Sequence, residues 1–178
     1  MCTSLAACGG SSTSTPTFEP SEPVLNPLSS VAVAENEVIA PNPDIALTSV
    51  DMSMTDDFGS LINGVRLTAG SEIVTFDDRL GSAAQDYAQL MLDEGHFGHI
   101  GPDGSTFTER VAVTGYNYTS LRENIALGYR DTDSVFTAWQ NSEGHRINNL
   151  AGDVDEFGLG FAEDGSSTRW VLILGSEG

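Results

Sequence analysis

The sequence predicts an α+β domain, and three observations predict it. Apolar residues recur at helical spacing through the first part of the folded region, with capping and stop residues around them. The C-terminal stretch changes to the two-residue period of strands, broken by an Asp164-Gly165 turn. Helices come first and a hairpin last, the order of an α+β layered domain and not of alternating strand–helix units.

The elements follow in order. Phe58, Leu61, Ile62 and Val65 share one helical face, and Gly70 stops that helix. Asp77 or Asp78 caps a second helix whose apolar stripe is Leu80, Ala83, Ala84, Tyr87, Ala88 and Met91, ended by Gly95. Thr106-Phe-Thr-Glu109 has the form of a capping box opening a short helix through Val113, with Gly115 behind it. A fourth helix opens after Asp131-Thr132 and turns Val135, Phe136 and Trp139 inward. Phe157, Leu159 and Phe161 then alternate along a strand, and Trp170-Val-Leu-Ile-Leu174 reads as a buried one.

Ahead of these elements, residues 9–54 are rich in Ser, Thr, Pro, Asn and Glu, with no basic residue before Arg66. They read as an acidic linker, although Val31-Ala-Val-Ala34 and Val38-Ile-Ala40 could add a strand or pack on the domain, which is placed at 55–178. Residues 1–8 end in Leu5-Ala-Ala-Cys8, the form of a bacterial lipoprotein cleavage box, with a flexible Gly/Ser/Thr tether behind it. Only seven residues precede Cys8, without a basic start or full apolar segment, so 1–8 is expected to be a remnant of an export signal or a coincidence in a small-residue tail.

Composition limits the partners. The formal net charge is -19, from 26 acidic residues against seven basic ones, all arginine. Such a surface repels nucleic-acid phosphates and anionic lipid head groups. The acids are scattered, which suits solvation in a salty medium better than a polyanion function. Cys2 and Cys8 are the only cysteines, so the 55–178 region holds no disulfide and no thiolate metal site. No apolar run approaches the ~20 residues that span a bilayer, so a membrane is expected only through a lipid on Cys8.

Chemistry concentrates between His96 and Gly160, which contains all three histidines. His99, Glu123 and His145 are a candidate set for a divalent cation, since neutral imidazoles ligate zinc-class metals and a carboxylate completes the shell or orients an imidazole. The same residues would equally serve as a hydrogen-bonded network fastening helices to the sheet, with no metal. Gly95 and Gly98 end the helix around His96-x-x-His99, so His96 is expected to face solvent. Asp103-Gly104 reads as a turn and not a calcium loop. Asn124 and Ser142 are either donors behind the site or turn and cap residues.

Taken together, Asn63-Gly-Val-Arg66, Asp77-Asp-Arg-Leu80, Phe97-Gly-His-Ile-Gly-Pro-Asp-Gly-Ser105, Glu123-Asn-Ile-Ala126, Trp139, Gly144-His-Arg146 and Gly158-Leu-Gly160 resemble the CAP superfamily. This is the SCP domain of cysteine-rich secretory, antigen 5 and pathogenesis-related proteins, and the likeness is to its short disulfide-free bacterial branch. The resemblance implies a three-layer α-β-α sandwich with a small antiparallel sheet and a cleft lined by two histidines and two acids. His99 and His145 match the histidines, Glu123 the first acid and Glu143 the second. Tyr87 departs from the pattern, since bacterial relatives often carry histidine there, and its place on the apolar stripe marks it as core.

Two functions follow as expectations. One is an exported, lipid-anchored binding or scaffold module, monomeric, periplasmic or at the cell surface, holding a small apolar ligand, a glycan or a protein. Zinc or magnesium would be an accessory there and not essential to the fold. The other is a metal- or carboxylate-dependent protease or esterase. The domain has no Gly-x-Ser-x-Gly elbow, no His-Glu-x-x-His helix and no cysteine nucleophile, which favours binding over catalysis.

Overall fold

A computed structural model of the chain describes residues 49–178. Cys2, Cys8, the tether and the segments 31–34 and 38–40 lie outside the described residues. The elements run α1 (Ser49–Ala69), β1 (Thr75–Phe76), α2 (Asp78–Asp93), α3 (Phe107–Ala112), β2 (Tyr118–Leu127), α4 (Thr132–Asn141), α5 (Glu143–Asn149), β3 (Glu156–Glu163) and β4 (Thr168–Glu177). The first helix begins ahead of Thr55. β1, β2 and α5 have no counterpart among the elements expected from periodicity.

The four strands are ordered β1-β3-β4-β2. β4 pairs antiparallel with both β3 and β2, while β1 joins β3 in parallel over Thr75/Glu156 and Phe76/Phe157. The sheet is therefore antiparallel apart from this short edge.

β4 explains the layering. Successive side chains of a strand point to opposite faces. Trp170, Leu172 and Leu174 enter a core with Phe58 and Ile62 of α1 and Val135, Phe136 and Trp139 of α4. Val171 and Ile173 enter a second core with Leu80, Ala84, Tyr87 and Met91 of α2 and Val111 of α3. Helices thus cover both faces, giving the α-β-α sandwich, and a strand buried on both faces reads as an unbroken apolar run.

Local chemistry sets the helix ends as the sequence predicts. Asp77 caps α2, accepting from the amides of Arg79 and Leu80, and Thr106 with Glu109 closes a capping box on α3. Gly70 and Gly95 follow α1 and α2 in left-handed conformations, at φ +80° and +59°.

α2 lies unusually close to the sheet. A Cβ built on Gly158 would stand 2.1 Å from the Leu80 carbonyl carbon, and one on Gly160 would stand 2.3 Å from that of Ala84. The two glycines of β3 therefore let helix backbone rest on strand backbone. Gln85 secures the approach: its amide nitrogen donates to the Phe161 carbonyl at 2.9 Å and its amide oxygen accepts from Phe161 N–H at 3.0 Å. Asn63 makes the same two-way contact with the backbone of Val74. Arg66, fully buried, donates to the carbonyls of Glu72, Asn149, Ala151 and Val154, tying α1 to the chain after α5.

These contacts predict that Gly158→Ala and Gly160→Ala each destabilise by about 2 kcal/mol or more, because neither backbone can retreat without unpacking α2. Gly64→Ala, in α1 where an added Cβ meets nothing within 4 Å, should instead stabilise by up to about 1 kcal/mol. Urea denaturation of the three variants checks both signs.

Candidate functional site

β2 is an edge strand, and adjacent residues on it face opposite helical layers. Ile125 belongs to the α2/α3 core and Ala126 to the α1/α4 core. By the same alternation Glu123 faces the α2/α3 layer and Asn124 the other. The two neighbours anchor the segments that carry His99 and His145.

On the first side, His99 lies in the loop between α2 and α3. Its Nδ1–H donates to Glu123 Oε1 at 2.7 Å, because a carboxylate oxygen can only accept. Arg110 Nη2, from α3, donates to Glu123 Oε2 at 2.9 Å and also to the His99 carbonyl at 3.2 Å. Both carboxylate oxygens are thus engaged, and the Glu123 side chain is only 1% exposed while that of His99 is 54% exposed. The tautomer that serves Glu123 leaves the His99 Nε2 lone pair free. Behind this pair the Arg110 guanidinium stacks 3.4 Å above the Tyr87 ring, and the Tyr87 hydroxyl donates to the Gly98 carbonyl. Tyr87 is buried, as its place on the stripe predicts, and it braces the loop next to His99.

On the second side, Asn124 Nδ2 donates to the His145 carbonyl at 3.1 Å and to Asn149 Oδ1 at 2.9 Å. Asn148 Nδ2 donates to Asn124 Oδ1 at 2.8 Å and to the Glu123 carbonyl at 3.3 Å. Three asparagines therefore lash α5 to the strand and fix the helix that carries His145. Burial first, then the charge of His99, lowers the His145 pKa, so its imidazole stays neutral to lower pH than a free one.

The remaining candidates fall elsewhere. Glu143 is exposed in the first turn of α5. Among the described residues no three His, Cys, Asp or Glu side chains gather as an ion would require. His96 is partly exposed, and its Nε2–H donates to the Ile100 carbonyl at 2.8 Å, closing the loop that holds His99. Asp103 forms the expected turn, accepting from the Ser105 amide. Ser142 separates α4 from α5 and caps α5 without a side-chain hydrogen bond. Sequence reasoning missed Arg110, Asn148 and Asn149. Arg110 had one signal: a cation in a capping-box helix, in a chain with very few cations.

Comparison with known proteins identifies the fold. Residues 60–174 match the family described as the cysteine-rich secretory protein family, CAP. The chain is 34% identical over 106 residues to the uncharacterized protein YkwD of Bacillus subtilis (strain 168), a match covering 60% of this chain. That match spans only 41% of the length of YkwD. An outer surface protein from Borrelia burgdorferi superposes with a TM-score of 0.66 at 22% identity, over 71% of this chain and 94% of that one. An extracellular SCP-domain protein from Bacillus anthracis str. Ames gives a TM-score of 0.67 at 22% identity, over 78% of this chain and 45% of that one. The structural likenesses carry the fold alone.

The depressed His145 pKa has a consequence for stability. A folded-state pKa below the unfolded value of ~6.5 means the folded protein binds fewer protons in that range. Stability from this residue is therefore whole above about pH 6.5 and declines as pH falls through it. His145→Asn should remove this decline below about pH 6.5, in the window above the normal carboxylate range. Denaturation midpoints measured across that window, in chelator, check it.

Proposed function

We propose, from the premise that the chain belongs to the cysteine-rich secretory protein (CAP) family, that it is an extracytoplasmic binding module. Its cleft takes a labile ion of the zinc class on His99 Nε2 and His145. The observation that carries this reading is the engagement of both Glu123 oxygens by His99 and Arg110. A carboxylate so committed orients an imidazole, as acids behind metal-bound histidines do, and is not free to activate water or to ligate directly. The expected ligand set of His99, Glu123, His145 and Glu143 thereby reduces to two imidazoles, with water or a partner's donor atom completing the shell.

Imidazole favours zinc over magnesium, which prefers oxygen ligands. A fold neighbour with a TM-score of 0.56 at 14% identity, NaASP2, has been crystallised with Zn2+. When bound, such an ion would give the cleft an electrophilic point of attachment for an oxygen or nitrogen atom of a ligand. Glycan, protein and small apolar ligands are all compatible with that point. The protease or esterase reading needs a base that Glu123 does not offer.

The extracytoplasmic assignment rests on the Leu5-Ala-Ala-Cys8 box and its tether, with lipid on Cys8 as the anchor. Among the described residues no helix is long and apolar enough to cross a membrane. An outer surface protein and an extracellular protein among the fold neighbours agree with it.

Calorimetric titration of the full chain with zinc at pH 7.5 tests the cleft. Binding is expected, with a melting temperature that rises with zinc concentration by mass action. His145→Ala and His99→Ala should each abolish both effects. Glu123→Ala should weaken zinc and also destabilise the metal-free protein by about 3 kcal/mol, because Arg110 is left buried without its counter-charge. Zinc binding unchanged in His145→Ala overturns the site, and peptide or ester hydrolysis lost in Glu123→Gln would establish the hydrolase instead.

Cell fractionation tests the anchor. The full gene, expressed with its upstream codons, should yield a membrane-associated protein, and Cys8→Ser should release it. A Cys8→Ser protein that stays with the membrane overturns lipidation at Cys8.

A further inference from the structure

Two arginines, Arg66 and Arg169, are buried without a carboxylate partner among the described residues. Arg66 gathers carbonyls at the end of the helix that carries His145. Arg169, on β4, is 8% exposed, and its acceptors are also neutral. Its Nε donates to the His96 carbonyl at 3.0 Å, and its Nη1 to the Thr168 carbonyl at 2.9 Å and to the Ser167 hydroxyl. Withdrawing a guanidinium from water without a counter-charge is costly, and acids to pair it abound in a chain with 26 of them. What Arg169 supplies at this position is the geometry of its fork.

The loop from His96 to Ile100 is held through its carbonyls. Tyr87 of α2 takes that of Gly98, Arg110 of α3 that of His99, and His96 itself that of Ile100. Arg169 takes that of His96, and of these four donors it alone belongs to the sheet. Glu123, which accepts from His99 Nδ1, stands on the same sheet, and its strand is registered on β4 from Glu123/Ile173 to Leu127/Arg169. Tyr87 refers the loop to a helix, and Arg110 reaches the sheet only through Glu123 itself. Arg169 is thus the contact that fixes the loop in the frame of Glu123 without using Glu123. The His99–Glu123 hydrogen bond joins an exposed loop residue to a buried strand residue, and its 2.7 Å length depends on that frame.

We propose that Arg169 is a positioning residue for His99. By fixing the start of the loop at the His96 carbonyl, it holds the imidazole on Glu123 in the Nδ1–H tautomer and leaves Nε2 as the free lone pair. The inference rests on the reading of His99 Nε2 as a zinc ligand, and it names a distant residue that controls that ligand. Lysine cannot take the part, because a point charge lacks the fork that faces acceptors on two segments at once. The turn between β3 and β4 becomes a support of the site, since it contains Ser167, which anchors Nη1. Asp164 holds that turn in place by accepting from the Ser167 amide at 2.7 Å.

The test reads the tautomer of His99 by long-range proton–nitrogen NMR of the full chain, in chelator and at a pH above the imidazole range. Zinc affinity is measured separately by calorimetry. The unmutated protein should show His99 in the Nδ1–H form. Arg169→Met keeps the buried stem, and should leave a mixture of the two tautomers and bind zinc about tenfold more weakly. Arg169→Lys should behave in the same way. Ser167→Ala, a milder change at a partly exposed turn residue, should move the tautomer in the same direction by less. Thr168→Val removes the acceptor of the Gly128 amide at the same end of β4 and touches no loop carbonyl. It should lower stability and leave tautomer and zinc affinity unchanged. The tautomer needs no metal, so a protein that binds no zinc loses the zinc reading alone and the NMR result still decides on Arg169. An Nδ1–H imidazole retained in both Arg169 variants, a mixture already present without mutation, or the same change in Thr168→Val overturns the proposal.

Discussion

The site depends on one buried carboxylate. Glu123 is shut away from water, and a lone ionised carboxylate in that position would carry a desolvation cost of several kcal/mol. Arg110 offsets the charge and His99 takes the second oxygen, so the two acceptor sites are filled from two different segments of the chain. Each partner is then fixed by the other's need. Arg110 cannot leave without stranding Glu123, and His99 cannot rotate without losing its tautomer. A loop with an exposed imidazole is thereby held as firmly as an element of the core.

That arrangement reaches back into the packing. Arg110 stacks on Tyr87, and Tyr87 sits on α2 among residues that touch the sheet. α2 stands where it does because Gly158 and Gly160 leave room for its backbone. A helix displaced outward by one methyl group would carry Tyr87 with it, and with Tyr87 the Gly98 carbonyl beside His99. The glycines of β3 thereby fix the helix that carries Tyr87. On the opposite face Arg66 plays a similar part, since the carbonyls it gathers include those of Asn149 and Ala151 at the end of the helix carrying His145.

The parts of the fold that periodicity revealed are those where burial alone chooses the residues. The α2 stripe from Leu80 to Met91, the inward face of α4 and the β4 run are all of this kind. β2 escaped because two of its inward positions, Glu123 and Asn124, are spent on holding the cleft, which erases the alternation a strand should show. α5 escaped because it is short and carries Gly144, Asn148 and Asn149, residues of low helix propensity, the two asparagines being engaged in hydrogen bonds to β2. The histidines and Glu123 were recognisable as a set from residue type and family likeness. Their division of labour was not, because whether a carboxylate ligates or orients depends on which cation lies beside it. Arg110 is 13 residues away and on another element.

The scarcity of cations gives the charge distribution its direction. Five of the seven arginines are committed within the fold: Arg66 to carbonyls, Arg79 to Asp77 and Glu177, Arg110 to Glu123, Arg122 to Asp153, and Arg169 to the His96 carbonyl. Arg130 and Arg146 remain exposed. Acids outnumber these cations by more than three to one, so the surface potential is negative nearly everywhere, and concave regions concentrate it. A cation is drawn toward so acidic a surface, and the Arg110 guanidinium beside His99 is already neutralised by Glu123. The same ion pair that holds His99 thus neutralises the guanidinium beside it, while Arg146, next to His145 in the chain, keeps its charge exposed. Salt screens the long-range part of this attraction but acts less on Glu123 and Arg110 themselves, which lie out of solvent. The contact that orders the loop of His99 in this way also removes a positive charge from beside its imidazole.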